Sequence, residues 1–344
     1  MSQKEQTQII NRLTAMWAFN EAALGGILHA FHIPLTGLLV GGFASLFISL
    51  IFRFSEDRKA VLRATLIVLI IKFLVSPHTP LLAYFSVAFQ GIVGYLIFSR
   101  KIPFAFSAVS LAVISSVFSS VQKIFFLTVM FGENFWTAIN IYAKFVLKQF
   151  FNSEFNLNIS LLIISLYLTI HLLGGIFFGI LAVRFNKKKD KLMAEVSSMQ
   201  ISSDIESGIE TAGSGRRRKM KHIMNIMIAL FLVSGLVLTL IYSESSENST
   251  IFMIMIIRSI IVFTLWLFLS KRVIYPMLKK YAEKSKKKYA AEIESMLCLF
   301  PSFRQQVKNN IIRVKKEKGI RAIWMFINLT IAGMLFHNIS EIRE

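Results

Sequence analysis

Long apolar runs set against short basic stretches constrain this chain more than any other feature. Runs at about 12–31, 35–53, 60–76, 80–99, 104–131 and 159–184 come first, and runs at about 223–242, 251–270 and 322–336 follow a polar stretch. Only helices and closed barrels satisfy their own backbone in hydrocarbon, and a helix needs about 20 apolar residues to cross it. With 55% apolar residues and a mean hydropathy of +0.60, the chain reads as an all-α integral membrane protein.

The formal charge of +20 does not point to nucleic acid, because most of the Lys and Arg lie in blocks beside the runs. The turn at 32–34 has neither Lys nor Arg, whereas 53–59 holds Arg53, Arg58 and Lys59. Residues 76–80 again have none, Arg100 and Lys101 follow the fourth run, and Arg184 to Lys191 is basic. This alternation predicts a six-helix transmembrane bundle over 1–184 with both ends cytoplasmic. The expected location is a bacterial-type cytoplasmic (inner) membrane, multi-pass, with the N-terminus cytoplasmic and no cleaved leader. The stretch 132–158, with Lys144 and Lys148, is the exception; its apolar face suits an interfacial or lid-like helix.

Residues 185–221 read as a flexible basic cytoplasmic linker, rich in Ser, Glu and Asp and carrying Gly213-Ser214-Gly215. Its flanking clusters, Lys187–Lys189 and Arg216–Lys219, suit anionic lipid. The part from 222 to 344 reads as a two-span membrane hairpin followed by basic amphipathic cytoplasmic helices over 273–318. Such helices suit a membrane surface or a partner groove. The segment 322–336 is short for a span; a short crossing, a re-entrant segment and an interfacial helix all remain open.

No phosphate-binding loop, nucleophile elbow or zinc-protease motif is present, and the single cysteine, Cys298, excludes an internal disulfide. The chain is therefore read as a non-enzyme without cofactor or metal. What remains is polar side chains at membrane depth, where ionisable groups are costly and mark function by default. The first run carries a small ladder, Ala22, Gly26 and Ala30, beside a polar one, Glu21, Gly25, His29 and His32. Other helices add Lys72, His78, Tyr84, Gln90, Lys123 and His171 as candidate solute contacts. Lys72 and Lys123 either line a cavity or snorkel to headgroups. Glu21 needs a Lys or His partner, and Arg258 needs an acid, with Glu21 one candidate. His29 and His32 lack a third metal ligand. Gly175 and Gly179, like the small ladder, read as helix-packing positions.

The stretch EAALGGILHAFHIPLTGLLVGGFASLFISLIFR resembles the first two helices of the substrate-binding S components of energy-coupling-factor (ECF) transporters. The resemblance covers 1–184 and implies six helices, an outward-facing pocket closed by loops, and a scaffold subunit contacting Ala22, Gly26 and Ala30. The C-terminal part is only loosely similar to that scaffold, and the resemblance would make Arg304 and Arg321 contacts to a cytoplasmic ATPase. The function expected is capture of a small solute for import, an anionic vitamin-like or other small metabolite, energised by a separate ATPase. The rival reading is a non-transport scaffold that recruits a cytoplasmic protein or anionic lipid through 273–318. Neither reading involves nucleic acid.

Overall fold

A computed structural model of the chain describes residues 2–30, 35–76, 79–98, 101–151, 158–200, 246–315, 317 and 319–336. Every regular element among them is a helix. The first are α1 (Gln3–Phe19), a π-turn (Asn20–Leu24), α2 (Gly25–Ala30), α3 (Thr36–Ser55), α4 (Arg58–Val75) and α5 (Leu81–Ile97). Next come α6 (Phe104–Phe131), α7 (Asn134–Phe151), α8 (Ile159–Gln200) and α9 (Ser246–Leu269). A second π-turn (Ser270–Ile274) leads to α10 (Tyr275–Lys288), α11 (Ala290–Cys298), α12 (Phe300–Val314) and α13 (Gly319–Phe336).

Among the described residues four helices are long and apolar enough to cross a membrane: Thr36–Ser55, Phe104–Phe131, Ile159–Leu192 and Met253–Met277. Leu81–Ile97 and Arg321–Phe336 are apolar but shorter. The expected span at 12–31 is helical through Ala30 with the π-turn inside it, and α4 at 60–76 carries Arg63 and Lys72 in addition to Arg58 and Lys59 at its start. The first arm of the expected hairpin, 223–242, lies outside the described residues. Residues 185–200, expected as the start of a flexible linker, continue α8 as helix to Gln200. Their Ser, Glu and Asp lower helix propensity only modestly.

Local chemistry sets the boundaries. Ser2 and Glu5 form a reciprocal capping box at the start of α1, at 3.2 and 2.9 Å. Asp57 caps α4 by accepting from the Lys59 amide at 2.9 Å. Pro301 sits in the first turn of α12, where its missing N–H leaves nothing unpaired, so the break between α11 and α12 falls just before it.

The chain forms two compact units. The first comprises Met1–Ile124, Leu162–Ser203 and Phe268–Glu344. In it α1 packs on α3 and α4, α5 packs on α3 and α4, and the C-terminal helices α11, α12 and α13 lie against α1. The centre is apolar, with Leu13, Trp17, Leu46, Ile48, Leu50, Val68, Ile71 and Leu111 fully buried. Lipid is as apolar as these side chains, so close packing and dispersion hold such helices together more than exclusion of water does. Glycine makes that packing possible between α6 and α8. A Cβ on Gly175 would stand 2.8 Å from Val113 Cα, and one on Gly179 2.6 Å from Val109 Cα, so the two backbones touch there.

The second unit comprises Phe125–Leu161 and Asp204–Leu267. Polar bonds tie it together. The Trp136 indole donates to Thr128 Oγ1 at 3.0 Å, and Asn140 both donates to and accepts from Ser160, at 3.1 and 2.8 Å. Arg258, for which an acid such as Glu21 was expected, donates instead to the Val129 carbonyl at 3.4 Å. That carbonyl stands three residues before Gly132, the glycine that follows the helix, where backbone oxygens lack intrahelical partners.

Candidate functional site

The π-turn at Asn20–Leu24 is the local device on which the site is built. Its wider ring, closed by the Gly25 amide bonding to the Asn20 carbonyl, turns Asn20, Glu21 and Ala22 into the first unit. Single π-turns inside α-helices are frequent at functional sites. Asn20, which sequence reasoning passed over, donates from Nδ2 to the Val40 carbonyl at 3.0 Å and pins the turn to α3. The only sequence signal for it was an amide adjoining an acid within an apolar run.

Glu21 meets Lys72 from the last turn of α4, with Oε2 and Nζ 2.5 Å apart and each side chain 4% exposed. Lys72 therefore does not snorkel; its stem and ammonium both turn inward. Its Nζ also lies 5.9 Å from the centroid of the Tyr84 ring, close enough for attraction to the ring face. Tyr84, buried at the start of α5, donates from its hydroxyl to the Ser76 carbonyl at 3.2 Å and so closes the end of α4. Three of the expected residues thus converge: Glu21, Lys72 and Tyr84.

A second set of polar atoms lies buried without partners among the described residues. Gln90 on α5 is 3% exposed, and its Oε1 accepts nothing. It fits because Gly41 faces it; a Cβ there would stand 2.9 Å from Gln90 Nε2. His171 on α8 is fully buried, with Nδ1 2.9 Å from the Tyr167 carbonyl. A carbonyl only accepts, so Nδ1 carries the proton of that bond, and in the neutral ring Nε2 is a bare acceptor. That Nε2 has no partner, and neither do the hydroxyls of Ser115 and Ser116 on α6. With Gly179 against Val109 and Gly175 against Val113, the antiparallel register carries His171, one turn on, to the level of Ser116. Such orphans are uncommon in folded proteins and call for a partner such as an ordered water or a ligand group.

Other expected residues lie elsewhere. Lys123 is exposed on α6, whereas its neighbour Gln122 accepts from Ser86 at 2.8 Å and donates to the Leu82 carbonyl at 3.1 Å. One residue's rotation about the helix decides which of the two faces α5. Lys144, on α7 in the second unit, is exposed. His32 and His78 lie outside the described residues, as do the side chains of His29 and Ala30. Ala22 is buried, but Gly26 is exposed and a Cβ there would meet nothing within 4 Å. Arg304 and Arg321 are both exposed, and Arg321 pairs with Glu317 at 3.5 Å. Among the described residues no three His, Cys, Asp or Glu side chains gather as a metal centre would require.

The C-terminal helices use another part of the first helix. Phe19 packs edge-on against Phe300 and Phe303, with centroids 5.3 and 6.0 Å apart. Arg12 donates to the Leu335 carbonyl at 3.2 Å, and Arg63 of α4 bridges to Glu292 of α11. Residues 290–336 thus dock along Arg12–Phe19 and α4, not at Gly26. Comparison with models of protein families, with curated proteins and with solved structures finds no match for this chain.

Proposed function

We propose that this chain captures a small solute bearing a carboxylate or phosphate for import across a bacterial-type cytoplasmic membrane. On this reading residues 1–184 act as a six-helix bundle similar to an ECF S component, and a separate ATPase supplies the energy. The observation that carries it is the buried Glu21–Lys72 pair beside Tyr84. Removing two charges from water costs several kcal/mol each, so a plain anchor gains nothing from such a pair at membrane depth. An ammonium has three protons. Glu21 takes one, and the others are available to an anionic group lying along the Tyr84 ring. Gln90 Oε1 and His171 Nε2, which have no partner among the described residues, supply further acceptors for donor groups of such a solute. The exposed cation Lys123 has no part in the site.

The test is a thermal-shift screen of the purified full-length protein against small carboxylates and phosphate esters, since a ligand that binds only the folded state raises the melting temperature. A hit should vanish in Lys72→Met and persist in Lys123→Gln. A hit that survives both Lys72→Met and the double change Glu21→Gln/Lys72→Met would remove the pair from the site.

A second reading has its own observation. Exposed lysines of α10, Lys279, Lys280, Lys284, Lys287 and Lys288, follow directly on the span Met253–Met277. They suit recruitment of a cytoplasmic protein or anionic lipid by a chain whose remaining helices serve as an anchor. No stabilising solute in the screen, together with stability that depends on anionic lipid, favours that role.

A further inference from the structure

The buried face of α8 is accounted for by Gly175, Phe178, Gly179, Leu181, Ala182 and Phe185. Its opposite face is different. Leu173, Ile176 and Ile180 are exposed and follow one another at spacings of three and four, and Arg184 and Lys188 continue the same line. The stripe is apolar along the span and becomes cationic at its end. There α8 and α13 enclose a cleft of about 300 Å³ lined by Arg184, Lys187, Lys188, Trp324 and Asn328.

The walls of the cleft are ordered. The Arg184 guanidinium lies 5.1 Å over the Trp324 ring, which is held edge-on by Phe177 at 5.5 Å. Asn328 Nδ2 donates to the Trp324 carbonyl at 2.9 Å, which leaves its second N–H. No described carboxylate bridges Arg184, Lys187 or Lys188, so three cations line one recess with no described acid to neutralise them. Arg and Lys converging on one point, with a tryptophan beside them at the end of an apolar run, match a phosphate at the level of lipid headgroups.

We infer that the cleft between α8 and α13 binds the phosphate of an anionic phospholipid, whose acyl chains lie along Leu173, Ile176 and Ile180. The lipid source, rather than a free phosphate, follows from the exposed apolar stripe that leads into the cleft. This site is separate from the Glu21–Lys72 pair and does not depend on solute capture.

The test uses the full chain in a neutral detergent, titrated with dioctanoyl phosphatidylglycerol, dioctanoyl phosphatidylcholine and glycerol 3-phosphate, with melting temperature as the readout. The expected result is a saturable rise with phosphatidylglycerol alone. The double variant Lys187→Gln/Lys188→Gln, both exposed positions, should weaken that response about tenfold or more while leaving the unliganded melting temperature in place. Lys279→Gln/Lys280→Gln removes the same charge from α10 and should leave it intact. An equal response to glycerol 3-phosphate overturns the lipid assignment. Equal weakening by the two double variants, or no saturable response at all, overturns the site.

Discussion

Lys72 and Glu21 meet through Nζ and Oε2 at 2.5 Å, with both side chains 4% exposed, and so join the last turn of one helix to a π-turn in another. The pair is costly to bury and costlier to break. Lys72→Met leaves a carboxylate buried without its cation and should destabilise the fold by about 3–5 kcal/mol. Adding Glu21→Gln removes the stranded charge and should recover most of that loss. Thermal unfolding of the two variants in detergent measures both effects; equal destabilisation by the single and double changes would mean the charges are not coupled.

The two glycine patterns in the sequence differ in consequence. Gly179→Ala places a Cβ 2.6 Å from Val109 Cα and should lower the melting temperature markedly, because backbone must move to admit it. Gly26→Leu enters open space and should change stability by no more than about 0.5 kcal/mol. Docking of α11–α13 should also survive Gly26→Leu, read as unchanged tryptic protection at Arg304. Loss of protection would place the docking face on Gly26 after all.

Phe303 is 2% exposed and packs against Phe19, so it anchors the C-terminal helices to α1. Phe303→Ala should cost about 3–5 kcal/mol of local stability and open α12 to trypsin before the rest of the chain unfolds. Simultaneous cleavage everywhere would instead show that α12 and α1 melt as one cooperative body.

The helices with strong apolar runs were legible in the sequence because composition over some 20 residues leaves few alternatives: α3, α6, α8 and α9 lie where the runs are. The need of Glu21 for a Lys or His was legible from its depth. The choice of Lys72 was not, since the same side chain a few residues from a helix end can turn either way. The π-turn was hidden as well. It adds no sequence signature, and the bond from Asn20 to the Val40 carbonyl that pins it crosses a helix interface, which the local sequence does not encode. Lys123 was misplaced by one step of rotation, where Gln122 took the inward position. The orphan hydroxyls of Ser115 and Ser116 had a signal, a serine pair inside an apolar run, that was not used.

His171 separates a structural role from a binding one. Its Nε2 accepts nothing, so replacing the ring by Phe costs only the Nδ1 bond to the Tyr167 carbonyl, on the order of 1 kcal/mol. Under the solute-capture reading, the same change removes an acceptor that the ligand would use. His171→Phe should therefore keep a near-native melting temperature while losing most of the shift produced by any solute found in the screen. A variant that keeps the full solute shift places His171 in the packing of α8 against α6, with the ligand elsewhere, and leaves Lys72 and Gln90 to carry the site. A variant that loses several kcal/mol of stability without ligand means that an unseen partner, such as an ordered water shared with Ser116, already satisfies Nε2.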